Sequence, residues 1–335
     1  MNDDTTFGLA TIRKLDLLSA ASKMLSGHRG LARGNGTAGR FARTFKQRDS
    51  IRRPIHRGHF MFAMLFALAM GYTLHAKDVF QPPKPPTPGK WSEEAPRREP
   101  LEIQATDGSK LRGWLYRSDQ RDAAFVLFFY GRNEDLAHEA NRLAWLSDTL
   151  HVNAVCFDYP GYGFSGGSVG VPAIQSAALQ EFDYVKQRLA TTTAAPIVSY
   201  GWSIGTSMAI HVAANRQVAG LILQAPPANA EEMLRWSSKH DVPWYGHGVV
   251  KMKADPDVAQ VYENAAAIRN VSSPLLVIQG ELDDVVPIDQ GREVLAASAA
   301  KQKQFVEVPG AHHNDLHFGR PPASDAVEHF VELLR

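Results

Sequence analysis

The chain has 335 residues, 44% hydrophobic and 21% charged, with 36 Lys/Arg against 35 Asp/Glu. That is ordinary globular composition, which excludes collagen, wholesale disorder and a polytopic membrane protein. The single cysteine, Cys156, excludes an intrachain disulfide and any cysteine-based zinc or iron–sulfur site.

The near-neutral balance hides an asymmetry. Residues 1–59 carry 12 Lys/Arg and 4 Asp/Glu, net +8, and the remainder carries 24 and 31, net −7. Residues 1–59 therefore read as a basic extension, disordered where Gly and Arg dominate. It lacks interleaved aromatics and any nucleic-acid motif, so no nucleic-acid partner is expected. An uncharged apolar run follows, Phe60 to Leu74. As a helix it spans about 22 Å, short of the roughly 30 Å hydrocarbon core. Residues 60–76 suit a signal peptide or a short signal anchor. Arg52, Arg53 and Arg57 precede the run, which predicts an exported or membrane-anchored protein with everything downstream outside the cytoplasm. A buried core helix is the competing reading of the run. Gln81–Pro100 holds seven prolines, so 77–100 reads as a stiff extended linker.

From residue 101 the pattern becomes α/β. Leu101–Gln104 and Leu111–Tyr116 flank Asp107-Gly108 as a hairpin. Strands are predicted at Phe125–Phe129, Val152–Phe157, Ile197–Tyr200, Leu221–Leu223, Leu275–Ile278 and Phe305–Val308. Helices are predicted at Glu134–Leu150, Pro172–Leu189, Ser203–Ala214, Gly291–Ala300 and Ala323–Leu334. Alternation of this kind makes a mostly parallel eight-stranded sheet with helices on both faces over residues 101–335. Sites in such sheets lie at the carboxyl ends of the strands.

The strand ends carry the chemistry. Gly201-Trp202-Ser203-Ile204-Gly205 joins a strand to a helix as Gly-x-Ser-x-Gly, a tight turn that lifts the serine hydroxyl clear of the sheet. A serine needs a base to remove its proton. His313, in Pro309-Gly310-Ala311-His312-His313-Asn314-Asp315 after the last strand, can supply it; His312 competes and His317 is close. Three nearby histidines resemble a metal set, but no carboxylate–histidine helix motif accompanies them, and no metal is expected. Asp283, in Gly280-Glu281-Leu282-Asp283-Asp284, can orient the imidazole; Asp284 is the alternative, read as solvated or as a helix cap. The order Ser203, Asp283, His313 is the one expected of this elbow. Cys156 lies inside a strand and reads as buried and inert, and Asp158 as a turn residue.

These features resemble the α/β-hydrolase superfamily. Four segments carry the likeness: Phe128–Asn133, Asp158–Gly166, the Ser203 elbow, and Gly280–Pro287 with the late Gly310–Asp315. Together they are similar to a small-lid branch of membrane-anchored or secreted serine hydrolases that includes depalmitoylating thioesterases. The resemblance selects His313 over His312, since relatives carry Gly-x-Gly-His-Asn-Asp. It implies an oxyanion hole from the backbone N–H groups of Ile204 and Arg132. Relatives have His-Gly-Asn where this chain has Tyr130-Gly131-Arg132-Asn133. Residues 226–273 become the lid region, with Trp236, Pro243, Trp244 and Tyr245 read either as an apolar acyl wall or as lid packing; Tyr130, Trp202 and Trp244 are the substrate-binding candidates. The resemblance implies hydrolysis of an acyl ester or thioester through an acyl-enzyme, without a cofactor. A prolyl-oligopeptidase-type peptidase, an acyl transferase and a non-catalytic hydrolase-fold binding protein are the competing expectations.

Overall fold

A computed structural model describes residues 72–83, 91–92, 98–190, 195–240, 251–316 and 319–334. The chain divides into two compact units, 1–72 with 237–253, and 73–236 with 254–335. The second contains the whole central sheet.

Eight strands form that sheet: β1 (Arg98–Gln104), β2 (Lys110–Tyr116), β3 (Phe125–Phe129), β4 (Asn153–Phe157), β5 (Ile197–Trp202), β6 (Gly220–Gln224), β7 (Leu275–Gly280) and β8 (Lys303–Val308). Their spatial order is β8-β7-β6-β5-β3-β4-β2-β1. Neighbours from β8 to β4 pair in parallel, while β2 runs antiparallel to both β4 and β1. Every residue of β3, β4, β6 and β7 is buried, which is why these strands read as unbroken apolar runs. The hairpin strand begins at Arg98, three residues before the predicted start, with Pro100 on the edge strand where a missing N–H is tolerated.

The flanking helices include α1 (Ala140–Thr149), α2 (Val171–Tyr184), α3 (Gly205–Asn215), α4 (Ala230–His240), α5 (Pro256–Tyr262), α6 (Ile288–Ala297) and α7 (Ala323–Glu332). The region between β6 and β7 holds α4, α5 and a single turn at Asn264–Ala267. Residues 241–250, Trp244, Pro243 and Tyr245 among them, lie outside the described residues.

Two sequence expectations are corrected. A helix from Glu134 does not form; α1 starts at Ala140. Residues 136–139 form turns instead, braced by two carboxylates. Asp135 Oδ1 accepts from Ala137 N and His138 N, both at 3.1 Å, and Asp158 Oδ1 accepts from Leu136 N at 2.7 Å. Nor is the start of the 77–100 stretch a free spacer. Ala76–Val79 is one helical turn, and Val79 and Phe80 are buried in the core. Trp91 Nε1 donates to Leu101 O and Gly113 O. The expectations for 1–59 and for most of the apolar run lie outside the described residues, although Tyr72–Leu74 at its end is a short strand. Among the described residues no helix is long and apolar enough to cross a membrane.

Candidate active site

Four strand ends converge on one place. The loop after β3 brings Gly131, the turn after β5 brings Ser203, the loop after β7 brings Asp283 and the loop after β8 brings His313. Adjacent parallel pairing sets β3 beside β5, with Phe129 opposite Gly201.

The serine turn is built by close approach. Ser203 has φ +53, a left-handed value uncommon for a side-chain-bearing residue. Its N–H donates to Gln224 O at 2.8 Å, and its carbonyl accepts from Thr206 N and Thr206 Oγ1. A Cβ on Gly201 would sit 2.5 Å from Gly205 O and Thr206 Cα, so only glycine lets the strand pass the helix start here. Ile204 immediately precedes α3, where backbone N–H groups point out of the helix and the macrodipole favours negative charge.

Ser203 Oγ lies 3.0 Å from His313 Nε2. His313 Nδ1 lies 2.9 Å from Asp283 Oδ2 and 3.2 Å from Oδ1. The side chains of Asp283 and His313 are 0% and 8% exposed. Asp283 is held from behind: Oδ1 accepts from Val285 N (3.0 Å) and Val286 N (2.8 Å), and Oδ2 accepts from Gln279 Nε2 (2.8 Å). The competitors stand apart, His312 and Asp284 being 51% and 71% exposed and 3.8 Å from each other. An hydroxyl, an imidazole and a buried carboxylate in series can pass a proton from the hydroxyl to the ring and hold the resulting cation.

Of the remaining predicted residues, Trp202 is partly buried and stacks on the His313 ring, with centroids 6.1 Å apart and planes at 25°. On the same indole lies the Arg142 guanidinium, 4.7 Å from the ring centroid. Arg142 is paired with Glu139 at 2.9 Å, both side chains buried. Tyr130 is corrected. It is fully buried, and its hydroxyl donates to Asp158 Oδ1 and accepts from Tyr159 N, so it anchors the loop and does not line a substrate site. Arg132 belongs to the loop that packs against the serine turn, where a Cβ on Gly131 would lie 3.5 Å from Ser203 Cβ. Trp236 Nε1 donates to Asp284 O, which joins α4 to the loop carrying Asp283. Arg142 carried no sequence signal, because the indole it covers belongs to a residue remote in the chain. Among the described residues no group of three or more His, Cys, Asp or Glu side chains is arranged to hold a metal ion.

Glu134, in the loop after β3, is partly buried, and desolvation followed by the neighbouring Glu139 carboxylate pushes it up to about 7. A carboxyl held above its ordinary value binds protons more tightly folded than unfolded. Its stabilising effect is full below that ordinary value and is lost as pH rises through about 7. Glu134→Gln is expected to remove this dependence. Between about pH 5 and about pH 8 the wild-type melting temperature falls relative to that of the variant. Parallel melting curves would contradict the assignment.

With sheet order, elbow and strand-end geometry in place, the class is clear: the chain has the α/β-hydrolase fold. Residues 178–330, which contain Ser203, Asp283 and His313, match the model of the prolyl oligopeptidase family, and residues 99–220 match that of the Chlamydia CHLPS protein family. An uncharacterized protein of Mycobacterium tuberculosis is 28% identical over 238 residues, 71% of this chain and 79% of that protein. The lysophosphatidylserine lipase ABHD12 of Macaca fascicularis is 29% identical over 58% of this chain, which spans half of that lipase. In structure, the Pyrococcus furiosus esterase Pf2001 superposes with a TM-score of 0.57 at 17% identity, over 79% of this chain and 98% of the esterase.

Proposed function

We propose that this protein is a serine hydrolase that cleaves carboxylic esters or thioesters through an acyl-enzyme. One observation carries the reading: Ser203 Oγ is 3.0 Å from His313 Nε2, with buried Asp283 2.9 Å behind the ring. In this reading His313 takes the hydroxyl proton as Ser203 attacks the acyl carbonyl, and Asp283 keeps the Nδ1–H tautomer and stabilises the imidazolium. The Ile204 and Arg132 N–H groups hold the oxyanion, each such donor being worth about 3–4 kcal/mol in the transition state. His313 returns its proton to the leaving group, then activates the water that releases the acid. The apolar run before Tyr72 serves as the membrane attachment in this reading, which puts esters of membrane lipids within reach. A relative named as a lysophosphatidylserine lipase makes single-chain lipid esters the first class to assay. The match to the prolyl oligopeptidase family supports a second reading, peptide cleavage by the same residues.

Fluorophosphonate labelling of the full chain beside Ser203→Ala tests the proposal. Wild type is expected to label and to hydrolyse short p-nitrophenyl esters, and the variant to do neither. A folded, unlabelled wild type overturns the hydrolase reading. Ester and peptide panels run on the labelled protein separate the two chemistries.

A further inference from the structure

The residues just ahead of the Pro-rich stretch are bonded to the loop after β3. Gln81 O accepts from Asn133 N at 3.0 Å, and Gln81 Oε1 accepts from Arg132 Nη2 at 3.1 Å. Gln81 is braced in turn, its Nε2 donating to Asp78 O at 3.3 Å. Phe80 is fully buried, edge-on to the ring of Tyr159 with centroids 6.1 Å apart. The Tyr159 hydroxyl donates to Tyr130 O at 2.8 Å. The Gly131–Arg132 peptide therefore lies between two held points, Tyr130 O on one side and Asn133 N on the other. Gln81 makes one hold directly, and Phe80 backs the other through Tyr159.

We propose that Phe80–Gln81 is a positioning strap for the oxyanion loop, an inference that rests on the hydrolase reading above. A backbone donor stabilises an oxyanion only when its N–H is fixed where the charge develops. Gln81 meets this loop at two points. Asn133 turns it through a left-handed φ of +62, a conformation of higher energy than the extended or helical ones open to a free loop. Arg132 carries a long charged side chain whose guanidinium is bonded to Gln81. Gln81 holds both, its backbone carbonyl fixing Asn133 and its side-chain carbonyl receiving the guanidinium. The strap follows the apolar run after the single helical turn Ala76–Val79, so any attachment made upstream is joined in series to the oxyanion loop.

The test uses the full chain with Gln81→Ala and Gln81→Glu, assayed on p-nitrophenyl butyrate and against an alkyl trifluoromethyl ketone, whose hemiketal oxygen occupies the oxyanion position. Gln81→Ala is expected to lower kcat about tenfold with KM held within about twofold, the pattern of a misplaced transition-state contact. The ketone's inhibition constant should rise by the same factor. Gln81→Glu keeps an acceptor for Arg132 and should recover most of the loss. A kcat for Gln81→Ala within about twofold of wild type overturns the strap, as does an equal loss in both variants. Failure of the hydrolase reading is seen separately, as absence of fluorophosphonate labelling in wild type. In that event hydrogen exchange of residues 130–136 decides: faster exchange in Gln81→Ala and Phe80→Ala with β5 and β6 unchanged supports the strap, and unchanged exchange overturns it.

Discussion

Asp283→Asn is expected to lower kcat by about 10⁴-fold while the protein stays folded, the size of loss that a wrong imidazole tautomer brings. The new carbonyl oxygen replaces Oδ1 and still accepts from Val285 N and Val286 N. The new amide group takes the place of Oδ2, facing His313 Nδ1 and Gln279 Nε2. A donor now meets the ring where an acceptor stood. The proton moves to Nε2, which then points a hydrogen at Ser203 Oγ and loses its capacity as a base. Gln279 cannot repair the site by turning over, because its Nε2 also donates to Val286 O at 2.8 Å. The measurement is steady-state hydrolysis beside a urea melt. Retained activity at an unchanged melt would remove Asp283 from the mechanism.

Gly205→Ala is expected to destabilise the protein by about 3 kcal/mol or more, which is the upper range for overpacking. An added Cβ would lie 2.2 Å from Phe129 O and 2.5 Å from Tyr130 O. Both atoms are backbone and neither can yield cheaply. Phe129 is in register with Gly201 across the β3–β5 pair, and Tyr130 O is bonded by Tyr159. Relief requires α3 to withdraw from β3, which displaces Ser203 as well. A shifted urea midpoint together with lost fluorophosphonate labelling is the expected pair of results. A stable, fully labelled Gly205→Ala protein would mean that the loop after β3 yields far more easily than its bonds describe.

The strands were legible because burial on both faces demands apolar residues throughout, as in Phe125–Phe129 and Leu275–Ile278. The Ser203 turn was legible because its tight geometry admits a narrow set of residues, and the structure brings Ser203, Asp283 and His313 within hydrogen-bond distance of one another in series. What stayed hidden was non-local. Tyr130 looks like a residue facing substrate in a strand-end loop, yet Asp158 and Tyr159, from another loop, turn it inward. The helix expected from Glu134 has good periodicity, but residues 136–139 form turns, with Leu136 N bonded to Asp158 Oδ1 from another loop. Proline content dominates the reading of residues 81–100 and conceals that Phe80 is a core residue. A propensity argument has no access to partners that lie on other loops far along the chain.

Cys156 sits in β4, fully buried, its strand flanked by β3 and β2, and burial pushes its thiol well above the usual range. A thiol so placed is inert toward alkylating reagents until the sheet itself opens. As the chain's lone sulfhydryl it is also a clean one. The protein thus carries its own gauge of global opening: the rate at which a maleimide consumes that thiol, followed across denaturant, reads the free energy of parting the central strands without any engineered label.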